Sequence, residues 1–125
     1  MVGVLPKVVG QTDNFFNMQS CFSKMKKTAV FMNIGRGTTV NEDDLATALK
    51  DGTIAGAVCD VFKVEPLPKE SPLWECDNML ITPHCADQDY GHLHRAMQTF
   101  ATNLTNFAEG GADKLTNICD KQAGY

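Results

Sequence analysis

The sequence predicts an α/β protein: a parallel sheet of about four strands with flanking helices, followed by a long amphipathic helix. Three observations carry this. Short apolar runs alternate with a polar, helix-forming segment. The run Ile54–Phe62 (IAGAVCDVF) is apolar almost without alternation, as expected of a strand buried on both faces. Gly91–Gly110 places Leu93, Met97, Phe100, Leu104 and Phe107 at spacings of three and four, the stripe of an amphipathic helix. Strand–helix–strand order of this kind favours parallel pairing, because the crossover helix covers the sheet.

Taken along the chain, Val2–Leu5 reads as a short strand stopped by Pro6, and the mixed segment Gln11–Lys27 is expected to hold one or two short helices. Ala29–Ile34 (AVFMNI) is β-prone and stops at Gly35. Asn41–Lys50 (NEDDLATALK) has the signature of a helix. Asn41 can cap its start, acids fill the first turn, and Leu45, Ala48 and Leu49 form an apolar face. Lys50 sits in the last turn and Gly52 stops it. Asn78–Thr82 (NMLIT) is a further strand, ended by Pro83.

A chain of 125 residues fits one domain with a sizeable core. Its net charge of −4 argues against a partner that is nucleic acid or an anionic membrane. No apolar run approaches the roughly 20 residues that span a bilayer, and Met1–Gly10 lacks the basic and apolar regions of a signal peptide. The five cysteines are widely spaced and include no C-x-x-C, which fits reduced thiols in a cytoplasmic protein. His84, Cys85, His92 and His94 suggest a metal cluster only on paper. His92 and His94, two apart, do not share a helix face, so no metal is expected.

In a parallel α/β sheet, ligands bind beyond the carboxyl ends of the strands. Leu5-Pro6, Gly35-Arg36-Gly37, Asp60 and His84 follow the four strands and should lie along one edge. Arg36, between two glycines, can present its planar fork to a carboxylate or phosphate. His84 can act as a general acid–base near neutral pH. Glu65, stiffened by Pro66 and Pro68, could accept the His84 ring N–H and raise its pKa. Asp60 ends a buried strand, where a carboxylate either binds something or caps a turn. The phosphate-cradling G-x-G-x-x-G does not occur: after Gly35 and Gly37 its third position holds Val40. Trp74 is expected to be an apolar anchor for its loop, and the methionines to fill the core.

Taken together, NIGRGTTVNEDDL, then AGAVCDVFKVEPLP, then SPLWECDNMLITPHCADQ resemble the D-isomer-specific 2-hydroxyacid dehydrogenases, with the match running from Val2 to about Asn106. HCADQ and the final Gly-Tyr resemble a glyoxylate/hydroxypyruvate reductase-like branch. The resemblance implies a partial Rossmann-like sheet and hydride exchange between NAD or NADP and a small 2-oxo or 2-hydroxy acid. It implies that Arg36, Glu65 and His84 are catalytic, with Arg36 and His84 also binding substrate. It further implies that Leu5, Pro6, Ile34, Gly35, Arg36, Asp60, His84, Cys85 and Ala86 line the cofactor. Residues 1–86 then correspond to the C-terminal half of the NAD(P)-binding domain. Residues 87–125 correspond to a crossing helix and tail that belong to the substrate domain in longer relatives. The chain is expected to be a truncated form of such an enzyme and a homodimer. The alternative is a non-catalytic interaction or dimerisation module derived from the family. Thr39 stands where the family has an aliphatic residue of similar shape, and Asp89 replaces a Thr, which should alter the start of the next helix.

Overall fold

The computed structural model describes residues 2–3 and 10–120. The chain falls into two compact units, residues 1–86 and 87–125, and the first contains the sheet. Its strands β1 (Val2–Gly3), β2 (Val30–Asn33), β3 (Gly56–Cys59) and β4 (Met79–Ile81) lie in sequential order, and every pairing is parallel. The register runs Val30 against Gly56 and Asn33 against Cys59, then Ala57 against Met79 and Cys59 against Ile81. All the carboxyl ends therefore share one edge.

Each strand is shorter than the apolar run that contains it. Of Ile54–Phe62, only Gly56–Cys59 pairs. Ile54 is buried where its N–H reaches the Ala48 carbonyl, and Val61 and Phe62 are buried past the strand end. These residues are apolar because they are buried, and burial extends beyond the ladder.

Helix α1 (Glu42–Lys50) links β2 to β3. The Asn41 side chain accepts the Asp44 N–H at 3.1 Å, which satisfies one of the unpaired donors of the first turn. Gly52, at φ +65°, takes the left-handed turn that ends the helix. Leu45, Ala46, Ala48 and Leu49 are buried in a core that also holds Phe16, Phe22, Phe31 and Ile54. Phe31 packs between Phe16 and Phe22, with ring centroids at 5.2 and 5.3 Å, in the tilted and edge-to-face arrangements that aromatic quadrupoles favour.

The helices expected within Gln11–Lys27 reduce to one short 3-10 turn at Phe22–Lys24. Asn17 explains this, since its side chain bonds both Asn14 O and Ser20 N, at 2.9 and 2.8 Å. Ser20 Oγ donates to Phe15 O. Such local bonds compete with helix. Phe16 instead forms a parallel bridge with Val40. Trp74 is not buried: it is 53 % exposed, and its indole N–H is fixed to the Pro68 carbonyl at 2.9 Å.

The second unit is built on α2 (His92–Gly110). Asp89 shapes its start, accepting from Gly91 N at 2.7 Å and pairing with Arg95 at 2.9 Å. Gly111, at φ +72°, ends it. The following segment folds back through Thr116 N–H to Asn103 Oδ1 and Asn106 Nδ2 to Lys114 O. No residue of α2 is buried, and Leu93, Met97, Phe100, Leu104 and Phe107 form an exposed apolar stripe. Met97 is thus a surface residue, whereas Met18, Met25 and Met79 pack against the core of the first unit.

Asn41→Ala should destabilise the first unit by about 1 kcal/mol, read from the urea midpoint at unchanged m-value. Burial pushes the Cys59 thiol up to about 12, so Cys59 should react with a thiol reagent only on unfolding, while exposed Cys119 reacts at once. Equal rates for the two would contradict the packing around β3.

Candidate active site

Arg36 leaves the end of β2 in a loop held from below by Asn33. The buried Asn33 side chain accepts the Gly35 N–H at 3.1 Å and donates to the Arg36 carbonyl at 3.2 Å. The same carbonyl accepts the Thr39 hydroxyl at 2.7 Å. Thr39 therefore contributes a hydrogen bond as well as an aliphatic shape. Arg36 itself is exposed, and one guanidinium nitrogen donates to Gly35 O at 2.8 Å. A guanidinium carries five N–H donors, so its fork keeps donors for a ligand.

Asp60, at the end of β3, is 2 % exposed. Its carboxylate accepts the Thr82 hydroxyl and the N–H groups of Cys85 and Ala86, the latter two at 2.9 Å each. Its carbonyl accepts the His84 N–H, also at 2.9 Å. Burial raises the Asp60 pKa, but these hydrogen bonds outweigh it and leave the carboxyl below its ordinary value of 3.8. Asp60 thus holds the turn that carries His84, a residue with left-handed backbone at φ +52°. A non-glycine residue at positive φ persists where its surroundings over-determine it.

His84 Nδ1 lies 2.7 Å from Glu65 Oε2. The other Glu65 oxygen accepts the Phe62 N–H at 2.8 Å. The bond from His84, then that from Phe62, draws the Glu65 carboxyl below its ordinary 4.5. The bond to Glu65 and the charge behind it hold the His84 imidazole above its ordinary 6.5, and Asp60 adds to this while Arg36 opposes it. With Nδ1 committed to Glu65, Nε2 is the nitrogen left to exchange a proton.

Arg36, Glu65 and His84 line one cleft of about 220 Å³ with Gly37, Thr38, Val61, Phe62 and Lys63. A second cavity of about 590 Å³ adjoins it through Phe62, Glu65 and His84. Its other walls are Asp60, Pro66, Leu67, Trp74, Ile81, Thr82 and Pro83. Ile34, Gly35, Cys85 and Ala86 line neither cavity, though Ile34 is exposed beside the Arg36 loop. Leu5 and Pro6 lie outside the described residues. Sequence reasoning passed over Asn33 and Glu42. Asn33 carried a signal, as the one polar residue in AVFMNI. Glu42 read as a helix-start acid, and its contact with Lys63 N joins residues 21 apart.

A parallel sheet with a paired His and Glu and a nearby Arg at its carboxyl edge defines an α/β acid–base site. The family model described as D-isomer specific 2-hydroxyacid dehydrogenase, NAD binding domain, matches residues 2–86, and the chain belongs to this family. It is 34 % identical to the glyoxylate/hydroxypyruvate reductase A of Citrobacter koseri over all 125 residues, which is 38 % of that protein. It is 41 % identical to a probable 2-ketogluconate reductase of Dictyostelium discoideum over 104 residues, 83 % of this chain and 31 % of that one. The structure superposes with a TM-score of 0.81 on the NADPH-dependent glyoxylate/hydroxypyruvate reductase of Sinorhizobium meliloti, solved with NADP and sulfate. That match has 33 % identity and covers 99 % of this chain and 39 % of that one. The chain thus spans about a third of the length of these relatives.

The His84–Glu65 pair sets a pH window. The depressed Glu65 pKa contributes stability that is present above the unfolded value and lost as pH falls through the folded one. The raised His84 pKa contributes stability that is complete below its unfolded value and lost as pH rises through the folded one. The pair therefore contributes most between 4.5 and 6.5. Glu65→Gln should lower the His84 pKa toward its ordinary value, reduce stability within that window and flatten its fall on either side. NMR titration of the imidazole and urea midpoints against pH check both.

Proposed function

We propose that the chain carries the acid–base half of an NAD(P)-dependent oxidoreductase acting on small 2-oxo and 2-hydroxy acids, of which glyoxylate and hydroxypyruvate are the leading candidates. The observation that carries this reading is the 2.7 Å His84–Glu65 pair opening on the same cleft as Arg36. A bound nicotinamide would supply or accept the hydride at C2 of the acid. The remaining chemistry falls to this chain. Arg36 holds the substrate carboxylate with its fork and draws charge toward the C2 oxygen. Doubly protonated His84 donates from Nε2 to that oxygen as it gains charge, and neutral His84 takes the proton back in the oxidative direction. Glu65 holds the ring by Nδ1 and favours the imidazolium needed for reduction.

The exposed Ile34 side chain and the apolar cavity beside His84 support a flat nicotinamide ring at this edge. Cys85 and Ala86 would approach it through backbone. Asp60, with its carboxylate turned to Thr82 and the 85–86 amides, would act mainly by holding that backbone. The sequence contains no G-x-G-x-x-G, and among the described residues no glycine loop opens a helix for the pyrophosphate, so NADH affinity of this chain by itself should be weak. In this reading residues 1–86 are the C-terminal half of the cofactor domain, and 87–125 are the crossing helix and tail of a substrate domain. Two copies pair as a homodimer.

A non-catalytic interaction module is the second reading. The exposed stripe Leu93, Met97, Phe100, Leu104 and Phe107 favours it, since apolar surface of this kind marks interaction sites.

NADH and NADPH oxidation, with glyoxylate, hydroxypyruvate and pyruvate offered separately, tests the first reading. His84→Ala should lower kcat by about 100-fold or more, the usual contribution of a general acid–base. Arg36→Ala should chiefly weaken use of the 2-oxo acid. Kinetics unchanged in both variants would remove the assignment, and absence of turnover in a folded sample would favour the interaction module.

A further inference from the structure

The backbone of Phe62 and Lys63 stands between the Arg36 loop and Glu65, and three contacts converge on it. Gly37, next to Arg36, presses on it so closely that a Cβ there would overlap the Phe62 carbonyl and the Lys63 nitrogen. The Phe62 N–H donates to Glu65 Oε1 at 2.8 Å. The Lys63 N–H donates to Glu42 Oε1 at 2.6 Å. Glu42 is the first residue of α1, and that helix is anchored by buried Leu45, Ala48 and Leu49. Its start is fixed further by Asn41 N–H to Phe16 O at 2.9 Å and by Met18 N–H to Asp44 Oδ2 at 2.9 Å. Glu42 is therefore a short arm on a rigid base, reaching a loop that belongs to the site.

We propose that Glu42 is a positioning residue: through the Lys63 N–H it holds the 62–65 loop against Gly37 and so sets how Arg36 faces the Glu65–His84 pair. The contact at Gly37 is a close van der Waals approach, and the charge-assisted hydrogen bond from Lys63 to Glu42 supplies a directional pull. Without it the Lys63 N–H turns to water, the loop draws back, and Glu65 moves away from His84. The helix does not need Glu42 for its dipole, because Asp43 and Asp44 also stand in the first turn. The catalytic meaning of this device rests on the dehydrogenase reading, but its geometry does not.

NMR on the full chain tests it without turnover, by His84 imidazole titration and Lys63 amide exchange in three variants. Around His84 the charged groups Glu65, Asp60 and Arg36 stay unchanged. Glu42→Ala should lower the His84 pKa toward that of a free imidazole and speed Lys63 exchange about tenfold, the loss of one hydrogen bond to a charged group. Glu42→Asp keeps the charge and the helix start but withdraws the acceptor, so it should act like Glu42→Ala. It also decides the matter if the alanine variant fails to fold. Glu42→Gln keeps an acceptor oxygen without the charge and should fall between the parent chain and Glu42→Ala in both properties. An unmoved His84 in Glu42→Ala and Glu42→Asp would overturn the proposal. So would a Glu42→Gln variant matching Glu42→Ala, which would make charge alone the cause. An enzyme assay that fails while these shifts appear would remove the dehydrogenase reading and leave the positioning role of Glu42 standing.

Discussion

Burying an ionised carboxylate costs on the order of several kcal/mol unless its oxygens find donors, and Asp60 imposes that constraint on everything around it. The donors that meet it, the Thr82 hydroxyl and the Cys85 and Ala86 N–H groups, all lie just past β4. The end of β3 is thereby fastened to the segment that follows its neighbour. His84 sits inside that fastening with its own N–H on the Asp60 carbonyl and its backbone in the left-handed region. The imidazole reaches Glu65 because the turn beneath it has little freedom to do anything else.

The parallel sheet makes this possible. With β2, β3 and β4 all running the same way, the residues that follow them emerge at one edge and meet each other there. Asn33 and Thr39 fix the Arg36 loop at the end of β2. Asp60 fixes the His84 turn. The Phe62–Lys63 peptide, gripped by Gly37 and Glu42, lies between the two. Arg36, Glu65 and His84 are thus carried by three loops, each tied to a different strand or helix.

The chain spans about a third of the length of its relatives, yet the sheet edge with its His–Glu pair and arginine is assembled within residues 1–86 alone. That unit has an aromatic and aliphatic core of its own, closed by α1. The α2 unit is different, since none of its helix residues is buried and its apolar stripe faces outward. Its internal order comes from polar bonds between the helix and the segment after Gly111.

By itself, the sequence determined the elements whose causes are local. The Asn41 cap, the acidic first turn and the Gly52 stop define α1, and the stripe from Leu93 to Phe107 defines α2, because these signals lie within a few residues of the backbone they act on. The order of apolar runs also made the parallel sheet and its functional edge legible, along with Arg36, Glu65 and His84 as candidates. Tertiary structure alone decided where pairing stops within Ile54–Phe62, because burial and ladder pairing use the same residue types. It decided that the Asn- and Ser-rich stretch near Asn17 would turn on itself. It also decided the roles of Asn33, Thr39, Asp60 and Glu42. Each acts through a hydrogen bond whose partner is set by packing, and in Glu42 and Asp60 that partner lies more than twenty residues away.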